Sequence, residues 1–303
     1  MQKSEVRMHA FGKACHLVVD NLTGRGPELL ERCGEEIRRL EQKFGTFHPE
    51  SLVSRINQDA GTGVFTPLDA ESHSLLKFVE ALWTKSMHVF DPTTRILREC
   101  YNPEGSLRAS QEQLKGMLQL VGWGQLELTD QGAHLARKGM VMDLNSCVRP
   151  YLVDSLKKIL EQEGARHALV ELEQDIATIG KQPDGANWLV GLRYPKGNSA
   201  GIQRIKLNDA SFALRGDFER TMQLNGERYS QSLSPVDGQP IPGVLAVAVN
   251  ADSCLASCSA AGLAMMKAEP AALNWLESLG LPWLAIDRNL QCHGPLAAGM
   301  HRA

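Results

Sequence analysis

The chain has 303 residues, with 43% hydrophobic and 22% charged content and a formal net charge of −3. That length holds one large domain or two ordinary ones, and the composition is that of a soluble globular protein. The charge excludes the basic footprint of a nucleic-acid binder, and no apolar stretch approaches the roughly 20 residues of a membrane span. The N-terminal stretch MQKSEVRMHAFGKACHLVVD carries no apolar leader core, and Cys15 lacks the apolar run that precedes a lipoprotein cysteine. Seven scattered cysteines fit a reducing compartment better than a disulfide framework. The expected location is cytoplasmic.

In chain order, HLVVD predicts a strand, and PELLERCGEEIRRLEQKF predicts an amphipathic helix with Leu30, Cys33, Ile37, Leu40 and Phe44 on one face. FHPESLVSRINQDAGTG reads as a polar loop with one short turn. DAESHSLLKFVEALWTKS predicts a second helix, and Ser110 with Gln113 in capping-box spacing opens a third. Short strands are expected around Leu126, Ala133 and Met140. The apolar run Met140–Leu144 then feeds, through the turn Asn145-Ser146-Cys147-Val148-Arg149-Pro150, a helix with Tyr151, Leu152, Leu156, Ile159 and Leu160 at helical spacing. The strands HALVELE, NWLVGLRY, IQRIKL, SFALRG and VLAVAVN follow, divided by Gly/Pro/Asp/Asn loops. Helices DSCLASCSAAGLAMMKA and PAALNWLESLG and a strand WLAIDR complete the series. Helices and strands lie in blocks, which predicts an α+β fold, and no linker divides the chain.

A strand feeding a helix N-terminus is a common anion site, because free N–H groups and the helix dipole favour negative charge there. Such sites generally use glycines and a lysine, and the turn 145–150 has neither. Asp91 before Pro92 predicts a helix N-cap. Gly216 and Asp217 fall in a turn after a strand, and Gln231, Ser234 and Asp237 in a turn-rich loop. Asp252 opens a helix of small residues. Cys254 and Cys258 share one face of it, where distant Cys292 and His293 would have to complete a metal site.

Taken in order, these pieces resemble the ApbE family of FAD:protein FMN transferases over about Phe11 to Leu284. FGTFHPESLVSRIN, VFDPTTRIL, MDLNSCVRPYLVD, LVELEQDIATIG, FALRGDFER, YSQSLSPVDGQP and ADSCLASCSAAG each fall on a family motif in register. The resemblance implies a single ApbE-type α+β domain over 1–303, with a mixed or antiparallel sheet and flanking helices. It also implies an enzyme that binds FAD and magnesium and transfers FMN to a serine or threonine of a target flavoprotein. The positions that fall on the family's flavin site are Arg149, Tyr151, Glu173, Gln174, Asp175, Arg215 and Gly216. Asp252 falls on the magnesium position, with Ala256 in place of its threonine partner. Gln231 and Asp217 are the catalytic candidates.

The departures cluster at the ligand. Arg149 replaces the family lysine and Pro150 a glycine, Glu173 and Gln174 replace paired glycines, Leu214 and Arg215 replace Thr-Ser, Gln231 a histidine, Ser234 an aspartate and Ala256 a threonine. Asp91, Asp143, Tyr151, Asp154, Asp175, Gly216, Asp217, Gly238 and Asp252 are kept. The reading that follows is a transferase-like protein with a degraded flavin and magnesium site, weak or inactive in flavin transfer. The alternatives are an active transferase, or a repurposed scaffold that binds a partner or runs another chemistry through Cys147, Cys254 or Cys258. Two expectations test it. Asp91, Tyr151, Asp154 and Asp217 should gather at one cleft, and Glu173 should lie within about 4 Å of Arg149 or Arg215, with Asp237 joining the same charge cluster.

Overall fold

The first hairpin sets the sheet. β1 (Lys3–Ala10) and β2 (Lys13–Asp20) pair antiparallel, Val6 against Leu17 and Arg7 against His16. Phe11 and Gly12 between them take φ of 50° and 69°, as a two-residue hairpin turn requires. The computed structural model describes residues 3–20, 24–102, 105–196 and 199–298.

α1 (Gly26–Phe44) buries Leu30, Cys33, Ile37, Leu40 and Phe44 as its spacing predicts. The stretch expected to be a loop with one short turn contains a helix, α2 (Leu52–Gln58). Ser51 Oγ caps it by accepting from Ser54 N at 3.1 Å, and Leu52, Val53 and Ile56 are buried. α3 (Ala70–Lys85) starts at Asp69, whose carboxylate accepts from Ser72 N.

Asp91 does not begin a helix: a 3₁₀ helix, Thr94–Cys100, starts after Thr93. The buried Asp91 carboxylate instead accepts from Thr93 N at 2.8 Å, Thr93 Oγ1 at 2.6 Å and Trp123 N at 2.7 Å, tying two loops together. α4 (Gln111–Leu118) carries the expected capping box, and β3 (Leu126–Thr129) and β4 (Gly132–Leu135) form a hairpin.

Met140–Leu144 is not a strand. The Asn57 amide takes the place of a ladder partner, donating to Met142 O at 2.9 Å and accepting from Met142 N at 2.8 Å. α5 (Asn145–Gln162) follows at once, so the expected turn 145–150 is already helical. Its first amides are occupied: Asn145 N donates to Asp143 Oδ1, and Cys147 N and Val148 N to Leu144 O.

The rest is β5 (Ala168–Leu172), β6 (Asp175–Ile179), β7 (Trp188–Lys196), β8 (Ser199–Leu207), β9 (Ser211–Gly216), β10 (Met222–Leu224), β11 (Glu227–Tyr229), β12 (Ala246–Ala251), α6 (Cys254–Met265), α7 (Glu269–Ser278), β13 (Trp283–Ile286) and β14 (Cys292–His293). Sequence reading missed β1, β6, β10, β11 and β14. The main sheet runs β1-β2-β5-β6-β9-β12-β13-β14 with every neighbouring pair antiparallel.

α1, α5 and α6 pack on one face of this sheet. The β7–β8 hairpin covers part of the other, setting Trp188, Val190, Leu192 and Leu207 against Phe212, Ala248 and Ile286. This is the segregated α+β arrangement expected. It brings the first turns of α5 and α6 against β6 and β9, near the β5–β6 turn. No described helix is long and apolar enough to cross a membrane.

Candidate functional site

Pro150 has no N–H, so the Ser146 carbonyl one turn earlier loses its helical donor. The Cys258 thiol on α6 supplies one, at 3.2 Å. Arg215, at the end of β9, donates from Nη2 to Cys258 Sγ at 2.6 Å and to Asp175 Oδ1 at 2.7 Å, and from Nη1 to Leu214 O at 2.8 Å. The Asp175 side chain is only 5% exposed. Burial pushes its carboxyl above the usual range, against the pull of Arg215, Arg149 and the bond from Arg215. Burial likewise pushes the Cys258 thiol up to about 11. A neutral S–H donating to a carbonyl while its sulfur accepts from a guanidinium fits that environment.

The β5–β6 turn lies beside this cluster. Glu173 there has φ of 56°, a left-handed conformation that glycine adopts at least cost. Its carboxylate is 2.6 Å from Lys13 Nζ and 3.9 Å from Arg149 Nη1. Arg149 Nη2 donates to Phe11 O at 3.2 Å, while its buried Nε has no partner. Burial lowers the Arg149 guanidinium below its ordinary value, with Glu173, Asp143 and Asp175 pulling the other way. Gln174 is exposed, and its carbonyl accepts from Leu214 N.

The expected proximity of Glu173 to Arg149 is met at 3.9 Å, but the closer partner is Lys13, which the sequence did not point to. Asp237 does not join these charges; it accepts from Gln239 N within its own loop.

Other candidates are engaged separately. Tyr151 donates to Glu71 Oε1 at 2.7 Å, toward the Arg39 and Lys43 cluster of α1. The Asp154 carboxylate accepts from Cys254 N at 2.7 Å and Leu255 N at 2.9 Å, capping α6 from α5. Burial raises its pKa against those two donors. Asp217 accepts from Glu219 N and Arg220 N in its own turn. Gly216 has φ of 81°, and a Cβ there would meet Leu245 O at 2.2 Å. Gln231 is exposed. Asp91, Tyr151, Asp154 and Asp217 thus each bond a different part of the chain.

Asp252 stands just before α6 but does not cap it. Ser253 does, its Oγ accepting from Ala256 N at 3.2 Å, and Asp252 is exposed one residue before it. Ala256 brings no side-chain oxygen. Among the described residues no cluster of three or more His, Cys, Asp or Glu side chains could hold a metal ion. A lone exposed carboxylate is a poor fit to magnesium, which needs near-ideal octahedral oxygen geometry and gives up its waters reluctantly.

The cysteine–histidine metal set considered from sequence also fails to form. His293 pairs with Asp287 at 2.8 Å, and Cys254 and Cys258 are buried in α6. Burial pushes Cys147 up to about 12 and Cys254 well above the ordinary thiol value. With Cys258 also raised, none of the three supplies a ready thiolate.

Comparison with known proteins agrees with this fold. The ApbE family model matches residues 11–284. A FAD:protein FMN transferase of Chlamydia muridarum is 28% identical over 260 residues, 82% of this chain and 79% of that protein. One of Vibrio cholerae is 23% identical over 82% of this chain and 76% of its own length. The apo crystal structure of Pseudomonas stutzeri flavinyl transferase ApbE superposes with a TM-score of 0.83 at 22% identity, covering 96% of this chain and 93% of that one. The ApbE protein of Thermotoga maritima gives 0.80 at 24% identity, covering 97% of each. A match running from the first hairpin turn to the last long strand of the sheet carries one conclusion: the chain belongs to the ApbE family.

Proposed function

We propose that this protein is a FAD:protein FMN transferase-like member of its family with a degraded flavin and magnesium site. Flavin transfer is weak or absent, and the scaffold serves to bind a partner protein. The observation that carries this reading is the buried Arg215–Asp175–Cys258 cluster. Arg215 spends its donors inside the chain rather than on a ligand. Glu173 adds a carboxylate, held by Lys13 and Arg149, where the family uses glycine; negative charge there opposes a pyrophosphate.

In this reading Arg149, Tyr151, Glu173, Gln174, Asp175, Arg215 and Gly216 occupy the former flavin positions. Asp252 marks the former metal position, and Gln231 and Asp217 the former catalytic ones. The chain acts as one domain over 1–303, in the cytoplasm, with a flavoprotein as its target or partner. Calorimetric titration with FAD, with and without magnesium, is the test. The expected result is weak or undetectable binding that magnesium does not improve, and a submicromolar dissociation constant would overturn the reading.

A second reading is an active transferase, favoured by curated relatives that carry that activity and align over most of their length. It requires Arg149, whose Nε is unpartnered, to hold phosphate despite Glu173. A flavin-fluorescent band on a denaturing gel, after incubation with FAD, magnesium and a flavoprotein substrate, would establish it.

A further inference from the structure

Among the described residues β1 is the terminal strand of the main sheet and pairs only with β2. Its other edge is a straight run of eight residues, Lys3 to Ala10, without proline and without a bulge. Among the described residues no backbone bond reaches that edge. Unpaired edges of this length template pairing with another strand. Natural edges block such pairing with proline, bulges, inward-pointing charge or runs of like charge; β1 has no proline, bulge or inward-pointing charge, and its charges are mixed in sign. Its charges, Lys3, Glu5 and Arg7, stand on the solvent face, and Val6 and Met8 are half-buried on the helix face.

We infer that this edge is a homodimer interface, in which β1 pairs antiparallel with β1 of a second copy and Val6 lies on the two-fold axis. Directly opposed residues must share a face, so the two-fold can pass only through a residue. Centred on Val6, Glu5 of each copy faces Arg7 of the other, Lys3 faces His9, and Ser4 faces Met8. Centred on Glu5, two glutamates oppose each other; centred on Arg7, two arginines do. Opposite charges across strands stabilise and like charges do the reverse. A Ser4 centre also sets Lys3 against Glu5 but pairs only residues 3–5 of β1, so the Val6 register, which pairs residues 3–9, is selected.

Arg7 is exposed and has no ion-pair partner among the described residues, whereas Glu5 already holds Lys3 at 3.0 Å. The free cation is the one that a second copy's Glu5 would satisfy. A second copy would also cover Val6 and Met8, the apolar residues that the helices leave half open. The occupant is a second copy of this chain because the strand is complementary to itself in charge and face.

Sedimentation velocity across a concentration series tests this. A single edge buries less than the roughly 800 Å² per partner of a standard interface. The expected behaviour is therefore a reversible dimer with a dissociation constant on the order of tens of micromolar. Arg7→Glu and Glu5→Arg should each weaken it about tenfold or more, by placing like charges opposite one another twice. The double variant E5R/R7E should restore it. All three changes are on exposed side chains, so folding is retained. Val6→Cys should give a disulfide-linked dimer on a non-reducing gel, and Ser4→Cys should not. A wild type that stays monomeric throughout the series overturns the proposal. So does a dimer insensitive to R7E, or a double swap that fails to restore association.

Discussion

Two charged clusters lie near the first turns of α5, and the same kinds of atoms meet there under different conditions. In one, Arg215 and Asp175 are 22% and 5% exposed and the guanidinium also bonds Cys258. In the other, Glu173 is 43% exposed between Lys13 and Arg149. The first is insulated from water, so either charge alone would be strongly unfavourable. In the second, Glu173 and Lys13 are solvated and nearly independent, and only Arg149 is partly buried. Charge beside the first turns of α5 is therefore tolerated for two unrelated reasons: an internal counter-charge at Arg215 and Asp175, and water at Glu173.

Breaking the buried pair should have the largest effect. Arg215→Met leaves Asp175 without its counter-charge and removes a donor from Cys258, and a loss of about 3 kcal/mol in urea denaturation is expected at pH 8. The pH dependence identifies the cause. Burial already raises the Asp175 carboxyl, and removing Arg215 raises it further. A carboxyl with a raised folded pKa keeps its share of stability below the unfolded value and loses it as pH rises through the folded value. The deficit of R215M should therefore shrink between pH 8 and pH 4. A deficit that is flat with pH would mean that lost packing, not the lone charge, is responsible. Asp175→Asn in the same background should recover about 1–2 kcal/mol.

A third cluster sharpens the contrast, because it is half-buried and its acid shifts the opposite way. Arg39 grips both oxygens of Glu71 at 2.7 and 2.8 Å, and Tyr151 donates to it at 2.7 Å. The bonds from Arg39, partly offset by burial and reinforced by Lys43 and Tyr151, hold Glu71 down to about 2 from 4.5. The sign here is that of a depressed acid: stability is present above pH 4.5 and lost as pH falls toward 2. Glu71→Gln should cost on the order of 2 kcal/mol at pH 7 and progressively less in acid. Acid unfolding midpoints of the two proteins measure it. Identical midpoints would mean that the cluster contributes nothing to acid stability.

What the sequence made legible was local. α1 and α3 follow from apolar spacing, α4 from the Ser110/Gln113 box, and the β7 and β8 strands from apolar runs between turn residues. Positions 149, 173 and 215 were singled out from the sequence because the motifs around them keep register. Their partners were not. Lys13 lies 160 residues from Glu173, and Cys258 lies 43 from Arg215; no spacing rule links residues that only strand order brings together. Met140–Leu144 was misread for a related reason. Its apolar run looks like a strand, but its partner is one side chain, Asn57, so no ladder forms. The helix α2 was hidden by polar flanks, although three apolar residues at helical spacing order it.

The smallest expected effect is at Glu173, and its smallness is the point. Glu173→Gly deletes an ion pair with Lys13 and Arg149, both partly exposed, and exposed pairs contribute at most about 1 kcal/mol. The same change relieves a left-handed residue at φ of 56°, a conformation that costs a non-glycine residue about 1 kcal/mol or more. The two contributions oppose each other, so stability should change by less than about 1 kcal/mol in either direction. A Lys13→Ala/Glu173→Gly double-mutant cycle isolates the pair, and its coupling should stay below about 1 kcal/mol and fall with added salt. A coupling of about 3 kcal/mol would place Glu173 in the same class as Asp175 and remove the contrast between the clusters. Because E173G keeps the fold, it is also the variant in which to titrate FAD. Tighter binding there than in the wild type would identify the Glu173 carboxylate as the obstacle. Unchanged binding would show that the Glu173 carboxylate does not oppose flavin.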